Sequence, residues 1–134
     1  YPGIKNYINS VINFAKKNMF VETLTKRRRL IPEINSNVFQ LRNSSERMAI
    51  NMPIQGTAAD VIKIAMININ KEVIQQKMLS RMIIQVHDEL IFEVPKEEIF
   101  LMESMLRETM SNALKLKVPL IVDISYADNW GDLK

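Results

Sequence analysis

Apolar positions along the chain repeat with two periods, and the switches between them divide it into elements. In residues 3–18, Ile4, Tyr7, Ile8, Val11, Ile12 and Ala15 recur at helical spacing, with Lys5, Asn9 and Lys16 off that stripe. Pro2 suits the start of this helix and Asn18 its end. Residues 20–34 read as a strand pair, with strand composition at 20–24 and 30–31 around the polar run 25–29. Residues 32–43 read as irregular, because Asn35, Ser36, Asn37 and Asn43 mark turns. Farther on, Ala59, Ile62, Met66, Ile69 and Val73 form one helical stripe running to about Gln76. Pro53 and Gly56 interrupt its front, which predicts two short helical pieces with a kink, or a helix beginning at Pro53. Residues 81–94 hold two strand-length apolar runs around a polar knot at 85–89, and Pro95 closes the second, so a hairpin is predicted with His87, Asp88 and Glu89 at its tip. Residues 96–116 read as an amphipathic helix on Ile99, Met102, Leu106, Thr109 and Ala113, with Glu97 and Glu98 in its first turn. Residues 119–126 read as a last strand, with Leu120, Val122, Ile124 and Tyr126 on one face, and 129–131 as a turn. Strands joined as hairpins and faced by long amphipathic helices predict an α+β fold with an antiparallel sheet.

Composition narrows the chemistry. The 134 residues suffice for one domain with a core, and 47% hydrophobic content marks a globular chain. No apolar run approaches the roughly 20 residues of a membrane span, and no signal-peptide pattern opens the chain. Tyr1-Pro2-Gly3, without an initiator Met, reads like the middle of something longer. Cysteine is absent and histidine occurs once, so neither thiolates nor a histidine cluster can hold a metal. A bound metal would need oxygen ligands, which favours Mg²⁺ or Mn²⁺ over Zn²⁺. The net charge of +3 is compatible with a polyanionic partner without demanding one.

Three stretches could carry function. The hairpin tip lacks the Asn-Gly or Asp-Gly of an ordinary tight turn, and its adjacent carboxylates, Asp88 and Glu89, could hold a divalent cation or stand in a solvated loop. Neighbours on a regular strand face opposite ways, so Asp88 is expected as ligand with Glu89 as helper, unless the chain bends there. Lys26, Arg27, Arg28 and Arg29 form either a solvated turn or a phosphate-binding one. Arg47, Asn51 and Gln55, spaced four and four, would share one face of a continuous helix. They are residue types that reach bases and sugars in a groove, although a plain polar surface would look the same.

The run 46–60, Glu-Arg-Met-Ala-Ile-Asn-Met-Pro-Ile-Gln-Gly-Thr-Ala-Ala-Asp, resembles a signature of the family A DNA polymerases, the bacterial polymerase I type. Gln85-Val86-His87-Asp88-Glu89-Leu90 matches that family's motif C, in the right order and at a similar distance. Tyr1-Pro2-Gly3, Thr23-Leu24 with Arg27-Arg28-Arg29, Pro119-Leu120 and Asn129-Trp130 extend the likeness over essentially the whole chain. The resemblance implies a C-terminal part of a polymerase palm with finger-base elements, residues 1–134, acting in DNA replication or repair. It implies Asp88 as a catalytic metal ligand with Glu89 in support, and His87 at the primer terminus. It places Arg47, Asn51 and Gln55 near the template-primer minor groove. The implied cofactor is Mg²⁺, with Mn²⁺ possible. The implied partners are primer-template DNA, deoxynucleoside triphosphates and the remainder of the parent polymerase chain, with no membrane.

The family's second metal-binding Asp (motif A) and its nucleotide-binding finger helix (motif B) have no counterpart here, so this chain alone is expected to be inactive. Two further departures stand out. Thr25-Lys26 replaces an apolar or acidic residue followed by Gly, giving a more basic and less flexible loop, and Ser125-Tyr126-Ala127 replaces a common Gly-containing stretch. The competing readings are a non-catalytic nucleic-acid-binding module with the same fold and an unrelated basic nuclease. The expected location is the cytoplasm, at the bacterial nucleoid, or a DNA-containing organelle. Self-association of the fragment through exposed apolar surface is also expected.

Overall fold

The computed structural model describes residues 1–133. Its elements run α1 (Pro2–Asn18), β1 (Phe20–Glu22), β2 (Arg28–Leu30), a 3-10 turn (Pro32–Asn35), α2 (Phe39–Gln75), β3 (Arg81–Val86), β4 (Glu89–Glu93), a 3-10 turn (Lys96–Glu98), α3 (Ile99–Ser111) and a last 3-10 turn (Trp130–Asp132). This is an α+β chain with two separate antiparallel hairpins, β1–β2 and β3–β4. It divides into two compact units, Tyr1–Asp60 and Val61–Lys134, with the division falling inside α2.

In the first unit, Ala15, Val21, Ile31, Ile34, Ala49 and Met52 form the core, with Val11 and Met48 packed against it. The C-terminal half of the α1 stripe, Ala15 with Val11, thus packs in a core shared with β1 and the front of α2. Helix α1 closes where expected, but the left-handed cap is Met19 (φ 63°), whose amide donates to the Ala15 carbonyl at 2.8 Å. Two links fasten α1 to α2: Tyr7 Oη donates to the Ile50 carbonyl at 3.1 Å, and Lys16 Nζ lies 2.7 Å from Glu46 Oε1.

The long helix departs from expectation in two ways. It begins at Phe39, inside the stretch read as irregular, and it runs unbroken through Pro53. Its entry is organised by Ser36, whose Oγ accepts the Val38 amide at 3.2 Å, while Arg42 Nη1 donates to the Ser36 carbonyl at 2.9 Å. A proline inside a helix removes one amide donor and costs about 3 kcal/mol. Ala49 and Met52, just ahead of Pro53, are buried in the core, and such packing overrides local propensity.

In the second unit, Ala65, Ile69, Met102, Met105, Leu106 and Ala113 form the core. Met82, Leu90, Phe92 and Val94 of the hairpin region pack on it. A two-stranded hairpin is marginal by itself, so this packing holds β3–β4. A clasp closes its base: the Glu98 carboxylate accepts the Leu79 and Ser80 amides, each at 2.9 Å, and the Ser80 hydroxyl. These bonds, the Leu79 amide first, hold the Glu98 carboxyl below its ordinary range.

Helix α3 starts with a 3-10 turn and stops at Ser111, five residues short of the periodic pattern. Asn112 folds back there, its Nδ2 donating to the Glu108 carbonyl at 2.9 Å. Residues 119–126 form no strand, because no neighbouring strand pairs with them among the described residues. Ile124 still packs on the core, and the Val122 carbonyl accepts from Arg107 Nη1 at 2.8 Å. No helix is long and apolar enough to cross a membrane among the described residues.

In the first unit, α2 and the β1–β2 turn approach closely at Gly56. A Cβ there would meet Thr23 Cγ2 at 2.7 Å and Arg27 Nη2 at 3.3 Å. Replacing Gly56 by Ala should therefore destabilise the protein by about 1–3 kcal/mol, despite the better helix propensity of Ala. Chemical denaturation of the two proteins checks this; equal or greater stability of Gly56→Ala would show that the approach is loose.

Candidate functional site

The β3–β4 hairpin pairs Arg81 with Glu93, Met82 with Phe92, Ile84 with Ile91, Gln85 with Leu90 and Val86 with Glu89, with a bulge between Met82 and Ile84. The turn is therefore only two residues, His87 and Asp88. His87 adopts φ 54°, the left-handed region that non-glycine residues seldom occupy. The bond from Gln85 Nε2 to the His87 carbonyl, 2.9 Å, braces it. His87, Asp88 and Glu89 are all exposed. Because Asp88 sits in the turn and Glu89 opens β4, the rule that neighbours face opposite sides does not bind this pair. Two exposed carboxylates are hard oxygen donors, a set that suits Mg²⁺, which commonly takes one or two carboxylates and fills its remaining positions with water and phosphate. Among the described residues no three acidic or histidine side chains gather to complete such a site. The donors here fit part of a coordination sphere.

Helix continuity through Pro53 bears on the second candidate set. Arg47, Asn51 and Gln55 lie on one unbroken helix and line its surface as a polar ladder along α2, all three exposed.

The basic turn is the most elaborately built of the three. Strands β1 and β2 pair Phe20 with Leu30, Val21 with Arg29 and Glu22 with Arg28. The Lys26 amide donates to the Thr23 carbonyl at 3.0 Å, the Thr23 amide donates to the Arg27 carbonyl at 2.9 Å, and Lys26 adopts φ 70°. This is a turn completed by a left-handed residue, a place where glycine is favoured. Its four cations are used differently. Arg27 Nε donates to Asp60 Oδ1 at 2.7 Å and its Nη2 to the Gly56 carbonyl at 3.0 Å. Lys26 and Arg28 stand 2.7 and 3.5 Å from the Glu22 carboxylate, and the Arg28 guanidinium lies 4.4 Å from the centre of the Phe20 ring. Arg29 is exposed, with no ion pair among the described residues.

Asp60, Thr23, Thr25 and Thr57 were not candidates from sequence, yet they organise this turn. Asp60 is 7% exposed. Its Oδ2 accepts the Thr25 hydroxyl at 2.6 Å, and Thr25 Oγ1 is 2.9 Å from Thr23 Oγ1. The Leu24 amide donates to Thr57 Oγ1 at 3.1 Å. Burial works against the Asp60 charge, but hydrogen bonds from Thr25, Thr23 and Arg27, with the Arg27 charge, prevail and hold its carboxyl below the usual aspartate range. The available signal was spacing: Gly56 and Asp60, four apart, place a gap and a carboxylate on one helix face.

A carboxyl with a depressed folded pKa stabilises the fold above its unfolded value, near 3.9, and that contribution is lost as pH falls through the folded value. The thermal midpoint should therefore drop on acidification below about pH 4. Asp60→Asn should flatten part of that acid limb while lowering stability at neutral pH by about 1–3 kcal/mol. Melting curves at stepped pH check this; an unchanged acid limb would show that Asp60 does not carry it.

The family model for DNA polymerase family A matches residues 1–132. DNA polymerase I of Streptococcus pneumoniae is 47% identical over all 134 residues, and DNA polymerase I of Bacillus caldotenax 46%. The chain spans only 15% of the length of each. A solved structure of the polymerase domain of Pol1 from M. smegmatis, in complex with DNA primer-template and dNTP, superposes with a TM-score of 0.94 at 43% identity. That likeness covers 96% of this chain and 23% of the other. The chain belongs to DNA polymerase family A.

Proposed function

We propose that this chain is the C-terminal part of a polymerase palm with finger-base elements, and that it serves template-directed addition of nucleotides to a primer. The observation that carries the reading is the two-residue turn exposing His87 and Asp88, with Glu89 beside them, in a chain matched by the family nearly end to end. The M. smegmatis polymerase domain is in complex with DNA primer-template and dNTP, and the same two classes of ligand are the substrates in this reading. Asp88 would hold a divalent cation, Mg²⁺ or Mn²⁺, with Glu89 in support. When bound, such ions neutralise the reacting phosphates and lower the pKa of the primer 3′-hydroxyl. The chain's own residues then act mainly by positioning. His87 contacts the primer terminus. Arg47, Asn51 and Gln55 follow the minor groove, where hydrogen bonds test the shape of the terminal pairs. Lys26, Arg28 and Arg29 hold backbone phosphate.

A second carboxylate ligand and the nucleotide-binding helix would come from the remainder of the polymerase, so this chain alone does not extend a primer. The rest of the polymerase would cover its exposed apolar residues, such as Phe100 and Ile121, 85% and 83% exposed. Separated from it, the chain would self-associate. The site of action is the bacterial nucleoid or a DNA-containing organelle.

Primer extension by a protein carrying the whole polymerase region is the test. Asp88→Asn should lower extension by at least roughly 10²–10³-fold, the scale of a lost charge-stabilising group, while binding of primed DNA persists. Substantial turnover in that variant would remove Asp88 as a metal ligand. Metal-dependent DNA cleavage in place of extension would favour a nuclease. Binding without any chemistry in the unaltered protein would favour a non-catalytic module.

A further inference from the structure

The contacts behind the basic turn form a set. Leu24, Thr25 and Arg27 are each bonded to α2, through Thr57, Asp60, and Asp60 with Gly56, respectively. All four cations are exposed, but Arg27 is bonded to α2, whereas Lys26, Arg28 and Arg29 make no bond to it. The anchors on α2, at 56, 57 and 60, follow directly on Gln55, the last rung of the polar ladder. The turn is thus fastened beside that ladder by its own neutral and charged groups.

From these contacts we infer that Asp60 is a positioning residue for nucleic-acid binding. It sets the turn against α2, so that Lys26, Arg28 and Arg29 with Arg47, Asn51 and Gln55 make one preformed surface for a DNA phosphate backbone. The inference rests on the nucleic-acid reading given above and assigns a role to a residue outside the expected contact set. Its physical basis is preorganisation. Long cationic side chains on a loose turn must be ordered when they meet phosphate, and that cost is subtracted from affinity. Asp60, Thr25 and Thr23 impose the order beforehand. They also hold Lys26 in a left-handed conformation that its side chain does not favour. Asp60 does this through Arg27 and Thr25 and does not itself touch DNA.

The test is fluorescence-anisotropy binding of a primed duplex across a KCl series, with the polymerase that contains this chain. Circular dichroism confirms that each variant is folded at the temperature used. Asp60→Asn keeps the size of the side chain but turns an amide N–H₂ toward donors. It should weaken binding by about tenfold and make the dependence of log Kd on log salt shallower by roughly 1–2, as if one or two phosphate contacts were lost. Thr25→Val should move both quantities the same way by less, and Thr25→Ser should restore them. A merely structural role would lower the melting midpoint and leave the salt slope alone, which overturns the inference. Unchanged affinity in Asp60→Asn overturns it too. Tighter binding with a steeper slope would make Asp60 a screen over Arg27, also contrary to the inference. Arg29→Ala and Arg47→Ala separate the two levels. If they weaken binding and Asp60→Asn does not, only the positioning role fails. If neither matters, the nucleic-acid reading of this surface fails with it.

Discussion

The Asp60 carboxylate can stay charged in a buried setting only if its hydrogen-bonding capacity is filled, and meeting that demand draws a whole turn onto α2. The Thr25 hydroxyl, itself bonded to Thr23, and the Arg27 guanidinium meet it. The Arg27 side chain is 47% exposed, so its Coulomb attraction is partly screened. The weight therefore falls on short, charge-assisted hydrogen bonds, whose geometry is specific. Gly56 supplies the other half of the constraint. Its missing Cβ leaves room for the Thr23 methyl, so carboxylate and hydroxyls come within bonding distance. A larger residue at 56 would push away the groups that keep Asp60 satisfied. Among the described residues no buried side-chain polar atom lacks a partner, which is what an interior of this polarity requires.

The β3–β4 hairpin solves a different problem. Its tip is exposed and its turn includes a left-handed histidine, which costs roughly 1–2 kcal/mol. Strained backbone persists only where the surroundings dictate it. Here the dictating forces are distant: packing of Leu90 and Phe92 on the α3 core, and the Glu98 clasp at the base. The clasp matters because adjacent Ile83 and Ile84, both exposed, would not themselves fix which residue forms the bulge. A slip of one position would turn each side chain of the strand to the other face. Fixing the base thus fixes which residues occupy the turn.

These two solutions explain what could be read in the sequence. Residues 3–18, the 81–94 hairpin and the start of the last helix were legible because their apolar periods are long and unbroken. The hairpin tip was legible as a turn from the apolar runs on either side of it, although its residues lack the usual turn pair. Local rules failed where tertiary forces prevailed. Pro53 announces a break, but burial of Ala49 and Met52 carries the helix through it. Residues 119–126 have strand composition, yet a strand is defined by a neighbour, and among the described residues none lies beside them. Asp60 stayed invisible because its partners, Thr25 and Arg27, are 35 and 33 residues away in sequence, a separation no local pattern encodes.

The basic turn also shows how a strained backbone position can be absorbed. Lys26 adopts φ 70°, a conformation that glycine takes more readily. That geometry is costly for a side chain, and the exposed ion pair from Lys26 to Glu22 contributes only about 0–1 kcal/mol. The better compensation comes from the neighbouring position. Thr25 supplies a hydroxyl to the buried Asp60, a bond that an apolar side chain could not make and an acidic one would oppose. Thr25 and Lys26 are therefore physically coupled. One adds an exposed cation at the price of backbone strain, and the other tightens the anchor that holds the strained residue in place.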